Sequence, residues 1–467
     1  MEPAPDTPVT ELPPTLSRLR AAWQARQPDV AQRSDDLARL RAAFKPRLDE
    51  MARAIAADFG HRSHHESLLA DGMAVLAELD HLRRHLRHWT RPRRVGAGWR
   101  LWPARAEVRM APVGVVGVIS PWNYPVNLAL VPLATAIAAG NHVYLKPSEQ
   151  TPRTTGFLCE LLAAVFPADR VAVACGGAEV GAAFAALPFD HLVFTGSTAV
   201  GRKVMAAAAP NLTPLTLELG GKSPAIVCDD FPIAQAAARL ATGKWFNGGQ
   251  TCIAPDYVLV DAARRDALVD ALRTEVQARY AGADAAADYT RIVNNGQAAR
   301  LRGYLDDATQ RGLQTVRLAE ISGERAIAPT LVLDPPDDAM VMREEIFGPI
   351  LPIKSYRTLD EAIDFVAARD RPLALYPFSR DRARIERILQ RTLAGGVTVN
   401  DTLLHFATSA LPFGGIGASG MGAYHGRAGF EAMSKALPIL WQSRRAASDL
   451  LKPPYAKVDR FIRLLLR

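Results

Sequence analysis

Two patterns of apolar and polar positions divide the chain. From residue 15 to about 89, apolar side chains recur every three or four positions, as in LLADGMAVLAELDHLRRHLRHW, which predicts amphipathic helices. From Val113 onwards short continuous apolar runs appear, each followed by a helical pattern: VGVVGVI, HVYLKP, VAVACG and HLVFTG. Such runs are typical of strands buried on both faces, so the alternation predicts a doubly wound parallel sheet.

The alternation resumes after Glu218, where AIVC and YVLV are each followed by a helical pattern. A second α/β unit is therefore predicted. The longest apolar stretch, VNLALVPLATAIAAG, contains Pro132 and is too short to span a membrane. It predicts a buried helix.

Composition places the chain among ordinary globular proteins. Of its 467 residues 49% are hydrophobic and 22% are charged, and this length is enough for two or three domains. The formal net charge is +8, but neither zinc-ligand spacing nor interleaved aromatic and basic residues accompany it. We therefore expect no nucleic-acid partner and no bound metal.

The cysteines and the N-terminus bear on the compartment. Cys159, Cys175, Cys228 and Cys252 form no CxxC pair, which favours a reducing cytoplasm. Residues 1–14 lack the basic start and the apolar core of a signal peptide. Because this segment is acidic and rich in proline, a mobile arm is predicted there.

The C-terminal tail, residues 447–467, has an amphipathic pattern. One helical face of PPYAKVDRFIRLLLR is apolar and consists of Val458, Phe461, Ile462 and Leu465. Arg460, Arg463 and Arg467 lie elsewhere around the helix. The favoured interpretation is a helix docked on the body or on a second subunit. The less favoured one is a basic helix resting on a membrane surface.

The stretch FNGGQTCIAPDY, from Phe246 to Tyr257, places Cys252 in a polar, glycine-rich turn. A core cysteine normally has apolar neighbours. Here the small side chains and backbone N–H groups leave room for another molecule. The setting indicates a nucleophile.

Two further motifs offer groups that would assist a nucleophile. Glu218 lies between leucines in TLELGGKSP, where apolar surroundings would raise its pKa and suit it to act as a general base. Asn123 follows an apolar strand in ISPWNYPVN, and its amide could donate to an oxyanion. The structural alternatives are a glutamate paired with a lysine and an asparagine that bonds its own turn.

Three motifs are candidates for holding a nucleotide. In FTGSTAVGRKV, Gly196 and Gly201 bracket a strand-to-helix turn that begins with Ser197, although the GxGxxG fingerprint is absent. The residue pairs of the other two motifs are Lys146 with Glu149 in YLKPSEQTP and Glu345 with Phe347 in EEIFGPILPI. Each motif has a structural alternative. These are, in the same order, a capped helix, a loop ion pair and an ordinary turn.

Taken together and in this order, the motifs resemble those of the aldehyde dehydrogenase superfamily. The resemblance rests on PWNYP, LKPSE, FTGSTAVG, LELGGKSP, GGQTC, EEIFGP and LPFGGIGASGMG. The segments GGQTCIAPDYVLV, RPLALYPFS and GASGMGAYHGRAGFEAMS are similar to the class of fatty, aromatic and coniferyl aldehyde dehydrogenases.

The resemblance implies an architecture and a partner. It implies a dinucleotide-binding domain from residues 15–97 and 113–218 and a catalytic domain from 219–424. A small β bridge that joins subunits would comprise residues 98–112 and 425–446. It also implies a homodimer.

The resemblance further implies a mechanism. Cys252 would attack the aldehyde, Asn123 would hold the oxyanion, and Glu218 would activate water to release a carboxylic acid. The residues implied to bind the cofactor are Trp122, Lys146, Glu149, Gly196, Ser197, Gly201, Glu345 and Phe347. The carboxylate of Glu149 favours NAD over NADP, with NADP as the alternative.

The substrate and the competing functions are less constrained. Tyr124, Trp245, Phe246 and Phe406 are candidates for an apolar pocket that would suit aromatic or long aliphatic aldehydes, or they belong to the core. The competing functions are a catalytically silent binding protein and a thiol esterase that works without dinucleotide. The joint presence of the catalytic set and the nucleotide-site residues argues against both.

Overall fold

Seventeen α-helices and sixteen strands build the part of the chain that the computed structural model describes, residues 2, 4–280, 282, 287–444, 446 and 453–465. The helices are α1 Leu12–Ala25, α2 Val30–Phe44, α3 Leu48–Phe59, α4 His64–Ser67, α5 Ala74–Trp89, α6 Asn127–Ala139, α7 Pro152–Val165, α8 Ala178–Ala185, α9 Thr198–Ala208, α10 Ile233–Trp245, α11 Arg265–Tyr280, α12 Asn295–Gln310, α13 Met340–Arg343, α14 Leu359–Ala367, α15 Arg382–Arg391, α16 Gly426–Ala432 and α17 Asp459–Leu465.

The strands are β1 Arg93–Val95, β2 Arg105–Pro112, β3 Val115–Ile119, β4 His142–Lys146, β5 Val171–Val173, β6 His191–Gly196, β7 Leu215–Leu219, β8 Pro224–Val227, β9 Tyr257–Asp261, β10 Thr315–Arg317, β11 Thr330–Leu333, β12 Ile350–Tyr356, β13 Ala374–Phe378, β14 Gly396–Val397, β15 Gly420–Met421 and β16 Ser434–Trp441. Six of the strands, β3 to β6, β8 and β9, coincide with the predicted apolar runs.

Two large sheets confirm the predicted α/β class. The first has the order β15-β7-β6-β3-β4-β5, with β7 to β5 parallel and β15 antiparallel to β7. The second has the order β10-β11-β12-β9-β8-β13-β14, and only β10 in it runs antiparallel to its neighbour. Parallel strands end at one edge, so side chains that follow them in sequence converge there.

Helix α6 confirms the prediction for the longest apolar stretch. All of its residues are buried, including Pro132 in its interior, and it packs beside α2 and α5 in the largest core cluster. Within the described ranges, no helix is both long and apolar enough to cross a membrane.

A third, smaller sheet has the order β1-β2-β16. Strands β2 and β16 pair antiparallel from Pro112 opposite Ser434 to Arg105 opposite Trp441. Both strands lie within the segments predicted as the bridge. The division of the chain into domains stays a prediction.

The N-terminus differs from the predicted mobile arm of residues 1–14. Helix α1 begins at Leu12, and Leu12, Leu16 and Leu19 are buried on one face. The prolines at positions 13 and 14 are compatible with a helix because the first turn needs no N–H donors from them. Upstream, the Thr7 N–H donates to the Cys175 carbonyl at 2.8 Å.

The predicted tail helix is present as α17. Val458 and Ile462 are half-buried, whereas Arg460 and Arg463 are exposed. Residues 447–452, Leu466 and Arg467 of the predicted tail lie outside the described residues. Contact of this tail with a membrane stays a prediction.

Candidate active site

A cavity of about 850 Å³ collects the polar residues that follow the strands of the two large sheets. Asn123 follows β3, Glu218 lies near the end of β7, and Cys252 lies in the turn after α10. All three line this one cavity. Positions that are distant along the chain are therefore brought together.

The turn before Cys252 has an unusual backbone. Asn247, Gly248 and Gly249 have φ angles of 55°, 60° and 76°, three left-handed residues in succession. A Cβ at Gly248 would lie 2.7 Å from the carbonyl oxygen of Thr290, so only glycine fits there. This compact turn brings Cys252 to the cavity wall.

Hydrogen bonds fix both the main chain and the side chain of Asn123. Its carbonyl oxygen accepts hydrogen bonds from Arg62 Nη1 at 2.8 Å and from Asn247 Nδ2 at 3.0 Å. Its Nδ2 donates to the Gln250 carbonyl at 3.2 Å. The amide is thus fixed against the same turn that carries Cys252.

A buried ion pair supports this arrangement. Arg62 Nη2 lies 3.0 Å from Asp71 Oδ2, and both side chains are fully buried. Asp71 also accepts hydrogen bonds from the N–H groups of Val126 and Asn127 at the start of α6. The pair connects the N-terminal helices to the segment that carries Asn123.

Glu218 has no hydrogen-bond partner for either carboxylate oxygen among the described residues. The side chain is only 2% exposed. Burial raises the pKa of this carboxyl well above its ordinary value, as the leucines around it predicted. The group is suited to accept a proton from a molecule that enters the cavity.

The Cys252 thiol is neutral in these surroundings. Burial is the main reason that its pKa rises to about 12, and the negative charges of Glu345 and Glu218 add to the effect. The backbone N–H groups of Cys252 and Ile253 act in the opposite direction. A thiolate here needs a compensating positive charge or donors beyond those of the turn.

Glu345 and Phe347 both line the cavity. Burial, followed by the charge of Asp256, raises the pKa of Glu345 to about 8. The Phe347 ring meets the Trp122 ring edge-on, with centroids 5.3 Å apart. An aromatic corner therefore stands near the thiol.

Lys146 and Glu149 form an ion pair farther along the cavity wall, with Nζ 2.9 Å from Oε2. Although burial opposes the effect, the hydrogen bond and charge of Lys146 lower the pKa of Glu149. Gly196 and Ser197 line the same region, and the Ser197 hydroxyl caps α9 by accepting from the Val200 N–H. The N-terminus of α9 is thus directed at the cavity, where it favours an anion.

Comparison with known proteins decides the family. The profile of the aldehyde dehydrogenase family matches residues 17–437. This chain belongs to the aldehyde dehydrogenase family. The dehydrogenase is 48% identical to a probable coniferyl aldehyde dehydrogenase of Pseudomonas aeruginosa, over 96% of this chain and 94% of that protein. It is 41% identical to aldehyde dehydrogenase family 3 member B1 of Rattus norvegicus, over 97% and 96%.

Solved structures agree with this assignment. The substrate-bound state of Staphylococcus aureus AldH superposes with a TM-score of 0.93 at 37% identity, covering 99% of this chain and 100% of that one. An NAD-dependent aldehyde dehydrogenase from Sinorhizobium meliloti gives 0.85 at 28% identity, over 94% and 88%. The predicted aldehyde dehydrogenase fold, aldehyde oxidation and use of NAD or NADP are confirmed. No finding supports a silent binding protein or a thiol esterase.

Gly201 of the dehydrogenase lies in the first turns of α9, after the predicted strand-to-helix turn. It is buried and is not among the residues that line the cavity. A Cβ at this position would come within 2.5 Å of Leu219 Cδ2. The glycine therefore lets α9 pack closely against the end of β7, and its contact with the cofactor stays a prediction.

Of the two interpretations left open for the substrate-pocket candidates, the structure favours the core for Trp245 and Tyr124. Trp245 is fully buried, and its indole N–H donates to the Pro349 carbonyl at 3.1 Å. Tyr124 is buried and hydrogen-bonds Thr251. Neither they nor the other two candidates, Phe246 and Phe406, are among the lining residues, whereas Phe413 and Tyr424 are.

Sequence reasoning missed Arg62 and Asp71 of the dehydrogenase. Asp71 stands in a helical segment and Arg62 in the short link between α3 and α4, two settings where charged residues are usually solvated. The available signal was an aspartate within the apolar run LLADGMAVL, and it names no partner.

Proposed function

We propose that Cys252 is the nucleophile of this aldehyde dehydrogenase, Glu218 the general base and Asn123 the oxyanion donor. The observation that supports the proposal is their common place on one cavity wall, together with the residues predicted to hold the dinucleotide. The reaction begins when the Cys252 thiolate attacks the aldehyde carbon. The C=O π electrons move to the oxygen, which the Asn123 amide and the Cys252 N–H stabilise.

The cavity suits a dinucleotide. The start of α9 and Ser197 favour a phosphate, Lys146 and Glu149 offer hydrogen bonds to ribose hydroxyls, and Phe347 offers a flat apolar surface. When bound, NAD supplies the hydride acceptor and a positively charged ring that offsets the carboxylate charges around Cys252. The lowered pKa keeps Glu149 ionised, which disfavours a 2′-phosphate and favours NAD. Lys203 lines the same cavity and leaves NADP as the alternative.

The second half of the reaction is hydrolytic. After oxidation the substrate carbon is held on Cys252 as a thioester. Glu218 removes a proton from water, whose oxygen attacks the acyl carbon, and the Cys252 sulfur leaves as a thiolate. The unpartnered oxygens of Glu218 are free to accept that proton. The product is a carboxylic acid and no phosphate is consumed.

An assay of cofactor reduction tests the nucleophile. Cys252→Ala should abolish aldehyde-dependent NADH formation, while NADH binding measured by fluorescence persists. Cys228→Ala is the matched control because that thiol is buried outside the cavity, and it should remain active. Appreciable turnover by Cys252→Ala would refute the assignment.

For the substrate, we propose an aromatic aldehyde of the coniferyl type, with long aliphatic aldehydes as the second choice. The relatives at 48% and 45% identity bear the names of coniferyl aldehyde dehydrogenases. The aromatic rings of Phe413 and Tyr424 and the side chain of Leu128 line the cavity, which suits an apolar ring. Coniferyl aldehyde should exceed acetaldehyde in kcat/KM by about tenfold or more, because each ~1.4 kcal/mol of added apolar contact is worth a factor of ten. Equal values would refute this choice.

We further propose a cytoplasmic homodimer joined through the small sheet. Its strand β16 leaves Leu437, Leu440 and Trp441 between 43% and 52% exposed. Light scattering should give twice the chain mass for the wild type and a monomer for Trp441→Lys. A wild-type monomer would exclude the dimer.

Liposome flotation with and without residues 453–467 tests the alternative contact of the C-terminal tail with a membrane.

A further inference from the structure

Two thiols that the proposed mechanism does not use lie in contact at the cofactor side of the enzyme. Cys159 of α7 and Cys175, which follows β5, have their Sγ atoms 3.6 Å apart. Cys159 is partly exposed and Cys175 is 7% exposed. We propose that this pair is a peroxide-sensitive dithiol that closes to a disulfide, and that closure weakens dinucleotide binding.

The surroundings favour Cys175 as the reacting sulfur. The two thiols share a hydrogen bond in which either sulfur can be the donor. This bond lowers the pKa of Cys175, burial and the charge of Asp6 oppose it, and the charge of Lys146 lowers the pKa further. Hydrogen bonding from one thiol to the other stabilises a thiolate on the acceptor. The pair thus combines a nucleophilic sulfur with a resolving thiol at contact distance.

The reaction balances with a peroxide as the oxidant. The Cys175 thiolate attacks one peroxide oxygen and the O–O bond breaks. Hydroxide is the leaving group, and Cys175 becomes a sulfenic acid. The Cys159 sulfur then attacks the Cys175 sulfur, the S–O bond breaks, and water leaves. Overall the two thiols lose two electrons and two protons, and hydrogen peroxide is reduced to two waters.

Closure requires a local movement of the chain. The sulfurs must approach from 3.6 Å to about 2.05 Å. The Cys175 backbone is anchored, because its N–H donates to Thr7 Oγ1 at 2.9 Å and its carbonyl accepts from the Thr7 N–H at 2.8 Å. Gly176 has a φ of 140°, and only the short segment from it to Gly177 separates the anchored residue from α8. The proposed coupling requires that movement of Cys175 reach the start of α8 through this two-residue link.

Helix α8 forms part of the wall against which the dinucleotide is proposed to bind. Ala178 and Gly181 line the cavity, and a Cβ at Gly181 would lie 3.9 Å from Lys146 Nζ. A small shift of α8 changes the shape of the cavity wall, because protein interiors have little free volume to absorb it. This coupling rests on the proposed dinucleotide site, whereas the disulfide itself does not.

The first measurement follows the disulfide in full-length Cys252→Ala enzyme, which removes the proposed nucleophile from the chemistry. After treatment with hydrogen peroxide and alkylation, peptide mass spectrometry without reduction should show Cys159 linked to Cys175. Cys228, 1% exposed, should remain a free thiol, and dithiothreitol should reverse the link. If Cys159 and Cys175 stay alkylatable, or if Cys228 reacts as fast, the proposal is overturned.

The second measurement is NADH binding by fluorescence, before and after peroxide. Closure should raise the Kd for NADH by about fivefold, which is the low end of the usual coupling between two linked binding sites. Cys159→Ser in the same background should form no link and show no change in Kd. An unchanged Kd in linked enzyme would overturn the coupling. A reduced enzyme that binds no NADH would instead refute the proposed cofactor site and leave the disulfide result standing.

Discussion

Replacing Glu218 with glutamine removes a proton acceptor from the cavity and changes little else. The amide has nearly the same shape as the carboxyl, and neither carboxylate oxygen has a protein partner to lose among the described residues. The fold should therefore tolerate the change, and thermal unfolding should stay close to that of the wild type. Formation of the thioester does not need this base, so it should continue.

The magnitude follows from the role and the burial of the group. A positioned general base contributes about 10²–10⁴-fold, or about 2.7–5.4 kcal/mol of barrier at 1.36 kcal/mol per factor of ten. Burial raises the pKa of Glu218 above the ordinary 4.5, which moves the base toward neutral pH, where proton transfer from water is efficient. We expect the steady-state rate of Glu218→Gln to fall by about 10²-fold or more.

The assay is stopped-flow absorbance of NADH with excess aldehyde. Glu218→Gln should give a stoichiometric burst followed by a slow phase, and quenched enzyme should carry an acyl group on the Cys252 peptide. In the wild type the steady-state rate should rise with pH as Glu218 loses its proton. The rate of the variant should not show this rise with pH. Glu345→Gln, which also removes a carboxylate from the cavity, should show no acyl accumulation. A steady-state rate equal to that of the wild type would refute the reasoning.

Three other substitutions test separate parts of the site. Glu345→Gln removes a negative charge that raises the Cys252 pKa, so iodoacetamide should alkylate this thiol faster at pH 8; an unchanged rate would contradict the charge effect. Gly201→Val places carbon against Leu219, and overpacking of about 1–3 kcal/mol should lower the thermal midpoint; full stability would contradict the packing role. Asp71→Asn leaves its buried arginine partner uncompensated, at a cost of about 3–5 kcal/mol measured by urea unfolding. A variant as stable as the wild type would show that this ion pair carries no net stability.

The segment that carries Arg62 and Asp71 shows where sequence reasoning stopped. Its helical periodicity was readable because side chains three and four apart share a face. The ion pair could not be predicted from the sequence, since it depends on how α6 and the preceding turn pack against that face. Tertiary packing also decided the helix at Leu12, where prolines had suggested a mobile arm.

The sequence by itself determined the alternation of strands and helices from β3 to β6 and at β8 and β9, because continuous apolar runs and helical spacing are local properties of the chain. It also supplied Cys252, Glu218 and Asn123 as candidates through motifs that lie within short stretches. Only the tertiary structure decided which groups share the cavity: β3 and β7 end at one edge of the first sheet, and hydrogen bonds to Asn123 hold the turn after α10 beside it. The close packing of Gly201 against Leu219 also belongs to the tertiary structure, because distance in space has no counterpart in spacing along the chain.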